Sequence, residues 1–343
     1  MINFIKREKV YILMIVFILT VNIINAGHTG RQVISEKKPL SNMTFEEIGV
    51  TEDKVKEFFE SDTISAKFFK YAIFLAFFIF FISIVLNLIF LFGKKGRKPD
   101  LKNNFSGIPV LWGIPDIIRA SITIIFIAYA VGIAESAVFR FFNINAGQNL
   151  RMIINTFFID IFAGVVILYF VLIKYRQKLS SLGFKSSYFF KNILAGITAY
   201  IFIIPLLLLI LLLSVWLIDI LGYSPPPQPV FEAFMEEKRS RILLFLTIFV
   251  SIGGPIIEEM FFRGFMYRAI KKRTGIILAA FLSAAIFSLL HSNIVGFLPI
   301  MTLGLLLVYL YETTGSLVAP ITVHILHNSI IVAFVLLIKE IIS

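Results

Sequence analysis

The sequence predicts an all-α fold, a polytopic bundle of transmembrane helices with eight to nine spans. Three observations predict it. Of the 343 residues, 58% are hydrophobic and only 15% charged, and the mean hydropathy is +0.91. The apolar residues come in uninterrupted runs of about 20, the length a helix needs to cross a bilayer, and not in amphipathic stripes. Lys and Arg gather at the ends of these runs, as they do in loops retained on the cytoplasmic side. A transmembrane barrel would show alternating segments of about ten residues, and none occurs. The chain has no Cys, which removes disulfides, thiolate metal ligands and cysteine nucleophiles together. Its net charge of +11 does not indicate a nucleic-acid partner, because the basic residues are divided among short clusters beside the apolar runs.

The candidate spans are 10–26, 70–93, 114–138, 152–173, 192–221, 242–270, 275–294, 297–312 and 317–338. Residues 1–26 form either an uncleaved signal anchor, counted here as the first span, or a signal peptide. Lys6, Arg7 and Lys9 precede its apolar core, and Ile24-Asn25-Ala26 is an acceptable cleavage site. Residues 27–66 follow as an extracytoplasmic polar segment. In it Thr44-Phe45-Glu46-Glu47 has the form of a capping box, and a short charged helix is expected to start near Thr51. Residues 67–180 supply the N-terminal transmembrane helices and 181–343 the remaining core. Between the fifth and sixth spans, Ser224-Pro225-Pro226-Pro227 ends one helix, and the amphipathic tract beginning at Phe231 is expected to lie on the membrane surface or gate an entrance. No internal repeat is evident, which weighs against an inverted-repeat transporter. With the first span retained, the clusters Lys6/Arg7/Lys9, Lys94/Lys95/Arg97/Lys98, Lys174/Arg176/Lys178 and Lys271/Lys272/Arg273 all fall on one side. That side is the cytoplasm, so the N-terminus is expected inside and the C-terminus outside.

Ionisable groups within a span cost at least about 2.5 kcal/mol each at its centre, so they face the bundle interior and take partners. They are dense in the last third of this chain. Glu258, Glu259 and Arg263 lie on the sixth span, His291 ends the seventh, and His324, His327 and Asn328 lie on the ninth. Glu259 and Arg263 are four residues apart and can pair, while Glu258 points about 100° away and stays free. Phe287 and His291 share a face at the same spacing, as do His324 and Asn328. Counted from the Lys271–Gly275 turn, Glu258 and His291 lie roughly 20–24 Å deep, and His324 and Asn328 roughly 12–18 Å from Ser316. Gly253-Gly254-Pro255 loosens the helix just before the acids.

A carboxylate, two imidazoles and an amide converging in a water-accessible pocket can hydrolyse. Glu takes a proton from water, His orients water or binds a metal, and Asn and His stabilise an oxyanion. Glu258, His291 and His324 would equally make a zinc triad with an open fourth position, and spacing does not separate the two. His327 is expected to be a packed or hydrogen-bonded bystander. Asp160 and Glu135, the other intramembrane acids, have no obvious partner in the sequence and are read as helix-packing or gating residues.

With these residues in place, the chain resembles the type II CAAX prenyl endopeptidases, also called the CPBP or Abi family of intramembrane proteases, over roughly residues 180–340. Glu258-Glu259-Met260-Phe261-Phe262-Arg263 fits the EExxxR motif, Phe287 to His291 the FxxxH motif, and His324 to Asn328 the HxxxN motif. The resemblance implies that Glu258 and His291 activate water, that His324 and Asn328 stabilise the tetrahedral intermediate, and that Glu259 and Arg263 support them. It leaves open whether Zn2+ is held by Glu258, His291 and His324 or no metal is used. The implied partners are membrane lipid and a peptide or lipid-modified protein substrate, in an integral protein of a bacterial cell membrane. The first span and the 27–66 segment depart from that family core. A transporter or channel using the same Glu/His site, and a non-catalytic bacteriocin-immunity protein, are the rival functions. The orientation is open to direct labelling in this Cys-free chain. A Cys placed at position 272 is expected to react only from the cytoplasmic side, and labelling from outside alone would reverse the topology.

Overall fold

Inside a bilayer no water satisfies the backbone, so each spanning segment must close its own hydrogen bonds as a helix. The computed structural model describes residues 2–28, 43–92, 110–144, 147–185, 187–223, 225 and 228–342. Long helices α1 (Ile2–His28), α3 (Ile64–Phe92), α4 (Ile114–Phe141) and α5 (Gln148–Leu168) form the first part of the bundle. A π turn at Tyr169–Lys174 prolongs α5, and α6 (Phe189–Ile220) follows. The sixth span is continuous over Ser240–Thr274 but built in pieces: α8 (Ser240–Ile248), a π turn (Phe249–Gly253), α9 (Gly254–Glu259), a second π turn (Met260–Tyr267) and α10 (Arg268–Thr274). Then come α11 (Ile276–Leu290), α12 (Phe297–Thr314) and α13 (Val318–Ile342). Two short helices, α2 (Glu52–Glu60) and α7 (Pro229–Glu236), lie between spans.

Among the described residues eight helices are long and apolar enough to cross a membrane. The difference from nine lies in the expected seventh span, 275–294. Its helix α11 has only 15 residues, about 22 Å at the standard rise, short of the roughly 30 Å hydrocarbon core. The apolar run continues, but the backbone turns: Ser292 adopts φ 49°, Ser288 Oγ donates to the Phe297 carbonyl at 2.6 Å, and Asn293 Oδ1 accepts from the Gly296 N–H at 2.8 Å. Composition cannot distinguish this turn from more helix. The turn leaves His291 at the end of a helix that stops partway.

The π turn at Phe249–Gly253 has a local cause. Pro255 lacks an N–H and its ring crowds the preceding turn, and the widened turn Phe249–Gly253 sits immediately upstream. π turns inside helices are frequent at functional sites. The second π turn is clamped by a core that includes Trp112, Phe170, Leu182, Phe265, Tyr267, Phe287 and Tyr311. Trp112 Nε1 donates to the Phe265 carbonyl at 2.8 Å, and Tyr311 Oη to the Leu182 carbonyl at 2.8 Å. Arg268 also donates to the Ser181 carbonyl. At the same end, Asp116 accepts from Lys174 Nζ and Tyr175 Oη, both at 2.5 Å. Arg119 binds Glu8 at 3.0 Å, so α1, α4 and the end of α5 are tied together.

In the 27–66 segment, Thr44 and Glu47 make the reciprocal capping bonds, at 2.6 Å and 3.2 Å, and Thr51 caps α2 through Lys54 N. Lys54 Nζ reaches the Ile342 carbonyl at 3.1 Å, so this segment sits beside the C-terminal end of α13. The tract beyond residue 228 is not a free surface helix. α7 buries Glu232, Ala233 and Phe234, packs on α5 and α13, and presents its Phe234 carbonyl to Lys339 Nζ at 2.7 Å. Residues 29–42, the 94–98 basic cluster, and Ser224, Pro226 and Pro227 lie outside the described residues, as do the side chains of Lys6 and Arg7.

α6 and α13 meet at Gly196, where a Cβ would lie 2.7 Å from the Ala319 carbonyl oxygen and 3.0 Å from Thr322 Cβ. Small residues let membrane helices approach this closely. Gly196→Ala is therefore expected to push the helices apart at a cost of about 1–3 kcal/mol, seen as a lower melting temperature in detergent. An unchanged melting temperature would show that the backbones are not in contact there.

Candidate active site

The site begins with the charge that is hardest to bury. Arg263, in the second π turn, and Glu259, at the end of α9, both have 0% side-chain exposure. A lone charge at this depth is prohibitive, so each must find its counter-charge and its hydrogen bonds inside the protein. Arg263 Nη1 donates to Glu259 Oε1 at 2.7 Å, and Nη2 to the Gly304 carbonyl at 3.3 Å. The guanidinium also lies 4.4 Å from the centre of the Phe287 ring, a cation–π contact. Gly304 makes room for it: a Cβ there would sit 3.4 Å from Nη2 and 3.1 Å from Ala284 Cβ.

His324 extends this pair towards the neighbouring glutamate. Its Nδ1 bonds Glu259 Oε1 at 2.9 Å. A carboxylate only accepts, so Nδ1 carries the proton. The other ring nitrogen, Nε2, lies 3.6 Å from Glu258 Oε2. The imidazole is sealed, with 2% side-chain exposure, whereas Glu258 retains 29%. Of two adjacent glutamates, one is locked to Arg263 and His324 and the other opens to the outside. Glu258 Oε2 makes no hydrogen bond within the protein.

The remaining predicted residues lie around these. His291 binds the Phe287 carbonyl through Nδ1 at 2.7 Å, which puts the proton on Nδ1 and leaves a lone pair on Nε2 in the neutral ring. The Phe287 ring stands between the two histidines, its centroid 4.6 Å from that of His291 and 5.5 Å from that of His324. Asn328 Nδ2 donates to the Val250 carbonyl in the first π turn at 3.0 Å. His324 and Asn328 share a helix face, but their hydrogen bonds run to Glu259 and Val250, not to each other. His327 accepts or donates to Tyr200 Oη at 3.1 Å.

Of the two intramembrane acids read as without an obvious partner, Glu135 needs correction. Glu135 accepts from Arg151 Nε at 3.0 Å and Asn155 Nδ2 at 3.2 Å, an ion pair between α4 and α5 at a spacing that single-helix reasoning does not examine. Asp160, on α5, comes to the site itself. Its Oδ2 and Glu258 Oε1 each lie 3.7 Å from the Cβ position of Gly254. No sequence spacing could find this, because the two acids are on different helices. Among the described residues no three His, Asp or Glu side chains gather as a metal-binding group. Glu258, His291 and His324 are thus not drawn together as a ligand set.

Among the described residues the structure is an all-helical bundle whose last third carries two glutamates, two imidazoles and an amide within spans packed on one another. Residues 240–330 match the Rce1-like family, the type II CAAX prenyl endopeptidases. The chain is 31% identical over 110 residues to YdiL of Bacillus subtilis (strain 168), which bears the name of a membrane peptidase. That alignment covers 30% of this chain and 45% of YdiL. It is also 31% identical over 137 residues to the membrane-embedded CAAX protease MroQ of Staphylococcus aureus (strain USA300), covering 38% of this chain and 54% of MroQ. The chain thus spans about half the length of the curated relatives it matches. No solved structure matches it significantly.

Removing Arg263 would strand Glu259 as an uncompensated buried charge. Arg263→Ala is expected to cost roughly 3–5 kcal/mol, with a large fall in folded yield and melting temperature. Arg263→Lys restores charge but not the two-pronged reach to Glu259 and Gly304, so it should recover stability only in part. Wild-type yield and melting in Arg263→Ala would show that the pair is not buried as described.

Proposed function

We propose that the chain is an intramembrane endopeptidase that cleaves membrane-associated or lipid-modified peptides and proteins, in a bacterial cell membrane, with its N-terminus in the cytoplasm. One observation carries this reading: the buried Glu259–Arg263 pair holds His324 so that its Nε2 faces Glu258, the one acid of the pair that is partly exposed. The names of the two bacterial relatives support it.

In this reading Glu258 is the general base. It takes a proton from water as the water oxygen attacks the scissile carbonyl carbon, and returns that proton to the leaving amine when the C–N bond breaks. His291, with Nδ1 committed to Phe287, offers Nε2 to orient the water. His324 and Asn328 lie on the same helix and stabilise the oxyanion, Asn328 with the N–H that Val250 does not use and His324 through Nε2 in its doubly protonated form, in which Nδ1–H stays on Glu259. Glu259 and Arg263 position His324 and touch no reacting atom. The helix end at His291 and the widened turn at Phe249–Gly253 keep backbone and water together at this depth, which membrane proteins tolerate only where a cavity is lined.

The test is cleavage of a membrane peptide library by purified protein. Glu258→Gln keeps the shape and removes the base, so turnover should vanish with melting unchanged, and His291→Ala should behave likewise. Asn328→Ala and His324→Ala should slow turnover by roughly 10²–10³. Activity should survive a chelator; inactivation reversed by zinc would instead place a metal in the mechanism. Wild-type cleavage by Glu258→Gln would overturn the assignment and favour a transport or immunity role.

A further inference from the structure

Three oxygens lie around the place where Gly254 lacks a side chain, one of them the Phe249 carbonyl that accepts the Gly254 N–H. From its Cβ position the Phe249 carbonyl oxygen lies at 3.6 Å and Asp160 Oδ2 and Glu258 Oε1 at 3.7 Å each, so the two carboxylates are within twice that distance of one another. All three groups are acceptors when the acids are ionised, and Asp160 makes no hydrogen bond or ion pair among the described residues. Two like charges brought together by the packing of α5 on α9 repel unless a donor lies between them. A water molecule supplies two O–H donors, and a site with two to four polar partners holds one.

We propose that Asp160 is a further residue of the active site, which with Glu258 holds the attacking water over Gly254. This rests on Glu258 being the base. The water presents one O–H to Glu258 Oε1 and shares the other between Asp160 Oδ2 and His291 Nε2, which directs a lone pair of its oxygen towards the substrate carbonyl. As the oxygen bonds to the carbonyl carbon, the first proton passes to Glu258, while the second stays on the oxygen and remains hydrogen-bonded to Asp160. The proton on Glu258 then goes to the leaving nitrogen as the C–N bond breaks, giving a carboxylic acid and an amine. Glycine at 254 keeps this space open. A methyl there makes only ordinary contacts with its neighbours, so it fills the space without disturbing the fold.

The experiment measures kcat, KM and melting temperature for Gly254→Ala, Asp160→Ala and Asp160→Asn beside Glu258→Gln, on one peptide that the wild type cleaves. Gly254→Ala is expected to melt as wild type, keep KM within about twofold and lose about 100-fold in kcat, the scale of a misplaced reactant. Asp160→Ala should lose about 10- to 100-fold in kcat at constant KM, and Asp160→Asn, which retains an acceptor oxygen, should recover part of it. Wild-type kcat in folded Gly254→Ala or Asp160→Ala overturns the proposal, as does a change in melting temperature alone. If Asp160→Ala does not fold, Gly254→Ala and Asp160→Asn decide. Loss of turnover in Glu258→Gln with wild-type kcat in the Asp160 variants removes Asp160 and leaves Glu258 standing. Retained turnover in Glu258→Gln removes both.

Discussion

A guanidinium and a carboxylate with no solvent exposure, in the middle of a membrane span, must satisfy each other before the surrounding helices can pack. Arg263 and Glu259 pair at 2.7 Å, leaving Glu259 Oε2 and Arg263 Nε without a hydrogen bond within the protein, and their surroundings follow from that pairing. Gly304 on α12 lets Ala284 of α11 approach, its Cβ 3.1 Å from where a Gly304 Cβ would lie, with the guanidinium at 3.4 Å beside them, and Phe287 on α11 offers its ring face to the same cation. His324 on α13 meets the second demand of Glu259 Oε1. Four elements are thereby drawn to one ion pair. Replacing such a pair with apolar groups often leaves a protein as stable or more so, whereas breaking it is costly. Its presence here is therefore better explained by what it positions than by what it stabilises.

What it positions is a division of labour between two consecutive glutamates. Glu259 is consumed by structure. Glu258, a residue earlier and rotated around the helix, faces Nε2 of His324 and is partly exposed. The π turns on either side of α9 make this possible in one span, since each widens the helix and shifts the register of the side chains that follow. The short α11 has the same effect from the other side, ending partway so that His291 stands at a helix end and not in the middle of a packed face.

Much of this was legible in the sequence, and the part that was not has physical reasons. The pairing of Glu259 with Arg263 follows from a spacing of four on one helix, and the density of ionisable groups in the last third follows from their cost in lipid. The capping of α2 was readable because Thr44 and Glu47 are near neighbours. Contacts between helices were not readable. The Glu135–Arg151 pair, the bond from His324 to Glu259 and the approach of Asp160 to Gly254 all depend on which helices pack together and how they are rotated, which one sequence does not state. The expected seventh span, 275–294, ends sooner than read, as α11 at Leu290, because hydropathy measures composition and the turn at Ser292 changes the backbone without changing composition. The tract after residue 228 was amphipathic as expected, but its apolar face is covered by α5 and α13.

The central claim is that the buried pair exists to aim His324 and Glu258. A double-mutant cycle with Glu259→Met and Arg263→Met, reading melting temperature and peptide cleavage on the same samples, tests it most directly. Each single substitution should lower the melting temperature sharply, because it strands one buried charge. The double substitution should recover most of that loss while cleavage stays abolished, because a stable apolar core no longer holds the imidazole. A double variant that cleaves at the wild-type rate would contradict the account.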